Sequence, residues 1–214
     1  MVCMAQEEHA VASVAQRKPP PMPIELFRAF YSTRPDEERW QLIDGVAVMM
    51  TPPTPAHQRI ASNLEALLNE ALERHVPTLV AYQRLGVDLA PAIEHYDPEP
   101  DVLVIDAEAG LQPDTRYMER FYLAAEIVSA SDRIWVEKKR EIYRLHESCK
   151  VILIIQQDRY DVRVDLRTDG GWSEQVMIET DGLLVLSEFG LRCTLFDIYR
   201  GPPFNQDAPR SAES

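Results

Sequence analysis

Residues 121–128, FYLAAEIV, form an apolar run broken by a single acid, Glu126. A continuous run of this kind has the pattern of a buried strand. An ionised carboxylate inside such a strand costs several kcal/mol unless it is paired or bound to a cation, so Glu126 requires a partner. A second run, Val102 to Ile105, follows Pro98 and Pro100 and precedes Asp106, which puts Asp101 at the mouth of a central strand rather than in its packed middle. Lys139 comes later, in KKREIY. Two carboxylates and an amine in this order suit phosphodiester hydrolysis. Asp101 and Glu126 offer the hard oxygens that a divalent cation such as Mg²⁺ or Mn²⁺ takes, and Lys139 can orient a water. Each residue also has a plainer role: Asp101 as a turn cap, Glu126 as the partner of a nearby arginine, Lys139 as a solvated helix charge.

The surrounding pattern supplies the scaffold. Met1 to Pro23 reads as a mobile tail, Ile24 to Tyr31 as a helix, and Asp44-Gly45 as a two-residue turn joining two strands within Trp40 to Met50. TPPTP at Thr51 to Pro55 opens a helix whose Ile60, Leu64, Leu67, Leu68 and Leu72 make a core stripe. His57 lies in its first turn, where a helix-start hydrogen bond is preferred over a place in the site. One or two strands are expected in Val76 to Ala90. Val151 to Ile155, then Asp161 to Arg167 and Trp172 to Ile178 around Asp169-Gly170-Gly171, complete the sheet and add a second hairpin. Leu195 to Tyr199 form a last helical turn before a disordered tail. The expected organisation is a tail over 1–23, one domain over 24–201 and a tail over 202–214.

With 214 residues and 45% hydrophobic content, the chain has enough material for one substantial core. Cys3, Cys149 and Cys193 are odd in number and widely spaced, which argues against a disulfide framework and fits a reducing cytoplasm. No apolar stretch approaches the ~18 residues of a membrane span, and Glu7, Glu8 and His9 interrupt any signal-like region. A cytoplasmic protein with no membrane partner is therefore expected. His9, His75, His95 and His146 lack the spacing of zinc ligands.

The net charge of −13 opposes non-specific nucleic-acid binding, but its distribution is uneven. Seven acids and no Lys or Arg occupy Asp88 to Glu108, whereas Ser129 to Lys150 holds six basic residues against four acidic ones. Lys138, Arg140 and Arg144 are the expected phosphate contacts. A solvated helix face is the plainer alternative.

Five segments together resemble the Uma family of restriction endonucleases, in the PD-(D/E)XK phosphodiesterase superfamily: QLIDG (41–45), MMTPPTPAHQRI (49–60), PDVLVI (100–105), EIVSAS (126–131) and KREIY (139–143). The resemblance runs from about Trp40 to about Tyr199. It implies an α/β, restriction-endonuclease-like fold, a mixed β-sheet flanked by helices, here with N-terminal and C-terminal β-hairpins. It further implies DNA as substrate, a homodimer that cuts both strands, and a metal site shared by Asp101 and Glu126, to which the Ile127 carbonyl can add a ligand. The superfamily's commonest lysine position, two residues after the glutamate, is Val128 here. The family's pattern takes the lysine from the next helix, which points to Lys139, with Lys138 as its substitute and Tyr143 packing against or orienting it. Gln41 and Val46 stand where acids are common, and IWV at Ile134 to Val136 where an aspartate is usual. A second reading follows from these departures: a catalytically weakened nuclease fold that binds nucleic acid or protein. On the sequence alone, Glu126→Gln is expected to leave the fold as stable or more stable, because it removes a buried charge.

Gln41→Glu should tighten Mg²⁺ binding and raise any cleavage, since it adds an anionic oxygen, while costing the metal-free protein some stability through carboxylate repulsion. Calorimetric titration with Mg²⁺ and thermal unfolding check this; unchanged affinity and stability would place residue 41 outside the site.

Overall fold

The computed structural model of the chain describes residues 20–89, 93–111, 117–129, 133–201 and 203–204. Helix α1 (Ile24–Tyr31) leads to β1 (Trp40–Ile43) and β2 (Val46–Met49). After α2 (Pro55–His75) come β3 (Leu79–Gln83), β4 (Gly86–Val87), β5 (Val102–Asp106), β6 (Tyr117–Met118) and β7 (Leu123–Val128). Helix α3 (Arg133–Leu145) precedes β8 (Val151–Gln156), β9 (Val162–Thr168) and β10 (Gly171–Met177). The chain continues through β11 (Leu183–Leu186), β12 (Leu191–Thr194) and α4 (Leu195–Tyr199).

The two apolar runs become neighbouring strands. The main sheet has the order β10-β9-β8-β7-β5-β3, antiparallel except for the parallel pair β7 and β8, which α3 connects. Alternation along β7 sends Leu123, Ala125 and Ile127 to a core with α2, α4, β11 and β12. Ala124 and Val128 go to a second core with Val136, Ile142 and Tyr143 of α3. A strand covered on both faces is apolar at every position that packs, which explains the uninterrupted run. The same alternation places Glu126 on the α3 face.

The expected N-terminal elements form as read. Asp44 and Gly45 both have positive φ, 54° and 69°, as a tight hairpin turn demands. Thr54 caps α2 and Pro55 opens it, a pairing that suits a helix start. Residues 20–23, assigned to the tail by sequence, are docked instead: Met22 N–H donates to the Gly45 carbonyl at 2.9 Å, and a Cβ on Gly45 would meet Pro21 Cβ at 2.3 Å. Phe204 likewise packs on Tyr160 and Tyr199. The rest of both expected tails, residues 1–19, 202 and 205–214, lies outside the described residues.

Two details differ at the C-terminal side. Gly171 pairs with Thr168 and so belongs to β10, leaving Asp169-Gly170 as the turn. The β11–β12 hairpin was not expected; each strand has four residues, with Leu184, Leu186, Leu191 and Cys193 inward and Leu183, Val185 and Arg192 outward. No described helix is long and apolar enough to cross a membrane.

Strand β3 ends the sheet, and α2 closes its outer side. Asn69 accepts from the Ala81 N–H at 2.8 Å and donates to the Ala81 carbonyl at 3.0 Å. Asn69→Leu should leave both buried backbone groups unpaired and lower unfolding free energy by about 2 kcal/mol, read from urea denaturation; a change below ~0.5 kcal/mol would mean that water replaces the amide.

Candidate active site

Strands β5 and β7 bring the carboxylates together. Val102 lies opposite Ala125, and Asp101 N–H donates to the Ala125 carbonyl at 3.0 Å. One step further along this register, Asp101 comes alongside Glu126. The Asp101 carboxylate then continues the ladder as a side chain: Oδ2 accepts from Ile127 N–H at 2.7 Å. Its Oδ1 lies 3.1 Å from Nε2 of His57. His57 reaches it from the first turn of α2, where its backbone N–H donates to Thr54 Oγ1 at 3.2 Å. The helix-start bond is thus made by the backbone, while the ring is turned to Asp101. His57 Nδ1 is buried and has no hydrogen-bond partner among the described residues.

Glu126 is held from α3. Lys139 and Tyr143 are one turn apart on the same helix face. Lys139 Nζ pairs with Glu126 Oε2, and the Tyr143 hydroxyl donates to Oε1 at 2.7 Å. Both charged side chains are only about 5% exposed. Lys139 also donates to Gln41 Oε1 at 3.4 Å. Burial pushes the Glu126 carboxyl up to about 7, with Lys139 opposing the rise and Asp101 adding to it. The Tyr143 hydroxyl is driven well above its ordinary value by burial and by Glu126. The expectation that Glu126→Gln stabilises the fold is therefore revised, because that change would leave the Lys139 ammonium buried without its counter-charge.

These residues open on a pocket of about 640 Å³ lined by Gln41, His57, Asp101, Glu126, Ile127 and Lys139. Arg39, Arg84, Glu99 and Gln157 also line it and escaped the sequence reading. Glu99 stood in plain view, beside Pro100-Asp101; the others carry no local signal.

The remaining basic candidates are held by other carboxylates. Lys138 binds Asp44 on the hairpin. Arg140 donates to both oxygens of Asp165 on β9, at 2.6 and 2.7 Å, and to Glu174 on β10. Arg144 Nε shares Asp165 at 2.9 Å. Asp165 is buried, so the guanidinium of Arg140 is committed beneath α3 rather than presented to a phosphate.

Among the described residues no group of three or more His, Cys, Asp and Glu side chains is arranged to hold a metal ion by itself. Two carboxylates with neutral oxygens from Gln41, the Ile127 carbonyl or water would complete a coordination shell. Such a donor set fits Mg²⁺, which keeps several waters, better than it fits calcium or zinc.

Comparison with known proteins bears on the family and the fold. The sequence profile of the Uma2 family, described as "Putative restriction endonuclease", matches residues 24–195. The fold is similar to a crystal structure from Anabaena variabilis described as a "putative nuclease belonging to DUF820", with a TM-score of 0.67, 17% identity, and coverage of 84% of this chain and 98% of that one. At that identity the likeness shows a common fold. No curated protein is significantly similar in sequence.

Glu126 makes stability depend on pH. Its carboxyl rises from an ordinary 4.5 to about 7 on folding, so its contribution is fully present below pH ~4.5 and is lost as pH rises towards ~7. Lys139→Met removes the group that most lowers this carboxyl, and urea-unfolding stability should then keep falling above neutral pH. Glu126→Gln should lack the decline and lose about 3 kcal/mol near neutrality. Superimposable pH profiles for wild type and Lys139→Met would disprove the coupling.

Proposed function

The chain belongs to the Uma2 family, and from that premise we propose that it is a metal-dependent endonuclease hydrolysing phosphodiester bonds in DNA, using Mg²⁺ or Mn²⁺ held by Asp101 and Glu126. The observation that carries this reading is the convergence of a buried Glu126, Asp101 and Lys139 on one solvent-connected pocket.

When bound, the cation lowers the pKa of a water and neutralises charge on the phosphate. The protein's own groups set the stage before substrate arrives. Lys139 and Tyr143 each take one oxygen of Glu126 and fix its plane, while Ile127 N–H and His57 do the same for Asp101. Dipoles aligned in advance need no reorganisation as charge develops. Lys139, already in contact with Glu126, orients the attacking water or donates to a phosphoryl oxygen. Gln41 steadies Lys139 from the hairpin side, a role that a neutral amide performs without drawing off the ammonium's charge. Lys138 keeps 35% of its side chain exposed and remains a candidate backbone contact; Arg140 is not proposed as one.

Supercoiled plasmid should be nicked with Mg²⁺ or Mn²⁺ and not with chelator. Asp101→Ala and Lys139→Ala should each lower the rate by at least about 100-fold, with Lys139→Ala still binding metal by calorimetry and folded by circular dichroism. Wild-type protein that binds the ion and never cuts would sink the endonuclease reading in favour of a binding module, which Gln41 and the net charge of −13 would then explain.

A further inference from the structure

The basic side chains lining the active-site pocket are not equivalent. Lys139, Arg39 and His57 each contact a carboxylate there, respectively Glu126, Glu99 and Asp101. Arg84 lines the same pocket, is exposed, and makes no ion pair among the described residues. It follows β3 directly. The β3–β5 register ends at Gln83 opposite Val102, so Arg84 leaves the sheet at the end where Asp101 enters β5. Its φ is 59°, a conformation unusual for a side chain with a Cβ. Backbone strain of this kind is retained chiefly where the placement of a side chain matters.

Arg84 also lines a second cleft of about 640 Å³, together with Arg34, Arg39 and Glu99. Arg34 is exposed, lies 4.5 Å from the Phe30 ring centroid, and has no carboxylate partner among the described residues. Of the three acids in this cleft, Glu38 is engaged by the Trp40 indole at 2.8 Å and Glu99 by Arg39, which leaves Asp36 beside Arg34 and Arg84. In a chain of net charge −13, a cleft that adjoins the carboxylates and carries uncommitted arginines is the side from which a polyanion can approach.

We propose that this second cleft carries the nucleic-acid strand away from the reacting phosphate, with Arg84 binding the adjacent phosphate and Arg34 one further along. The proposal rests on the nuclease reading and assigns Arg84 to substrate positioning. The approach is then over the β3–β4 corner, and not over the face of α3 where Arg140 and Arg144 are bound to Asp165.

The test is fluorescence anisotropy of a labelled DNA oligonucleotide, single-stranded and duplex, titrated over a range of salt with chelator present. Arg84→Gly removes the guanidinium and suits the positive φ, so the variant should melt no lower than wild type. Binding should weaken by about tenfold, and the slope of log affinity against log salt should fall by about one. Arg84→Lys should recover most of the affinity. Arg192→Ala, the same charge change on the outward face of β12, should bind as wild type. Equal effects of Arg84→Gly and Arg192→Ala would overturn the proposal while leaving plasmid cleavage untouched. Loss of binding in Arg84→Gly alone, in a protein that never cleaves with metal, would uphold the cleft and overturn the nuclease reading. Wild-type protein that binds neither oligonucleotide at low salt would overturn the cleft as well.

Discussion

A carboxylate and an ammonium, each almost sealed from water, meet between β7 and α3, and the placement of everything around the pocket follows from that pair. Strand β7 is packed on both faces, so its one acid must find a cation on the covering layer. Lys139 supplies it, which fixes both the rotation of α3 and its height above the strand. Tyr143 then falls on the second carboxylate oxygen. A quarter-turn away, Arg140 and Arg144 grip Asp165 on β9. The helix is thus pinned to β7, β9 and, through Glu174, β10 by ionic contacts that tolerate little sliding. Buried pairs of this kind add little net stability over apolar packing; what they give is a single arrangement.

The hairpin is fastened with comparable care, and it carries Gln41 into the site. Leu42 and Asp97 exchange both backbone hydrogen bonds, at 3.2 and 2.9 Å. The Asp97 carboxylate, pushed up to about 6 because burial outweighs Arg28, accepts from that arginine at 3.0 Å and ties the hairpin to α1. Lys138 holds the turn at Asp44 from α3. Adjacent lysines on one helix therefore serve different ends, Lys139 inward to the strand acid and Lys138 outward to the hairpin.

Much of this was legible in the chain. Hydrophobic patterning located β5, β7 and the α2 stripe because packing on both sides leaves an unbroken apolar signature. Asp44-Gly45 announced its turn because only certain residues accept positive φ. The lone acid in β7 marked Glu126, and the spacing of Lys139 and Tyr143 suited one helix face. Partners across the fold were not legible. Nothing local distinguishes Arg140, which binds a buried aspartate on β9, from an arginine in water, and a basic count over Ser129 to Lys150 could not separate the two. The β11–β12 hairpin was missed because strands of four residues joined through a short helical turn and Gly190 give too brief an alternation. Arg39 and Arg84 join the pocket through chain reversals that no spacing rule captures.

The amide of Asn69 has a consequence for assembly. By occupying the N–H and carbonyl of Ala81, it makes the β3 end of the sheet a poor template for another chain, and α2 stands over it. At the opposite end β10 is mostly exposed, with Val176 and the following Ile178 turned to solvent. A sheet usually guards both margins against unintended pairing. Among the described residues the guard of the main sheet is one-sided: its continuation into a second molecule has a single direction available, leading away from the carboxylates, so an association built that way would leave the pocket uncovered.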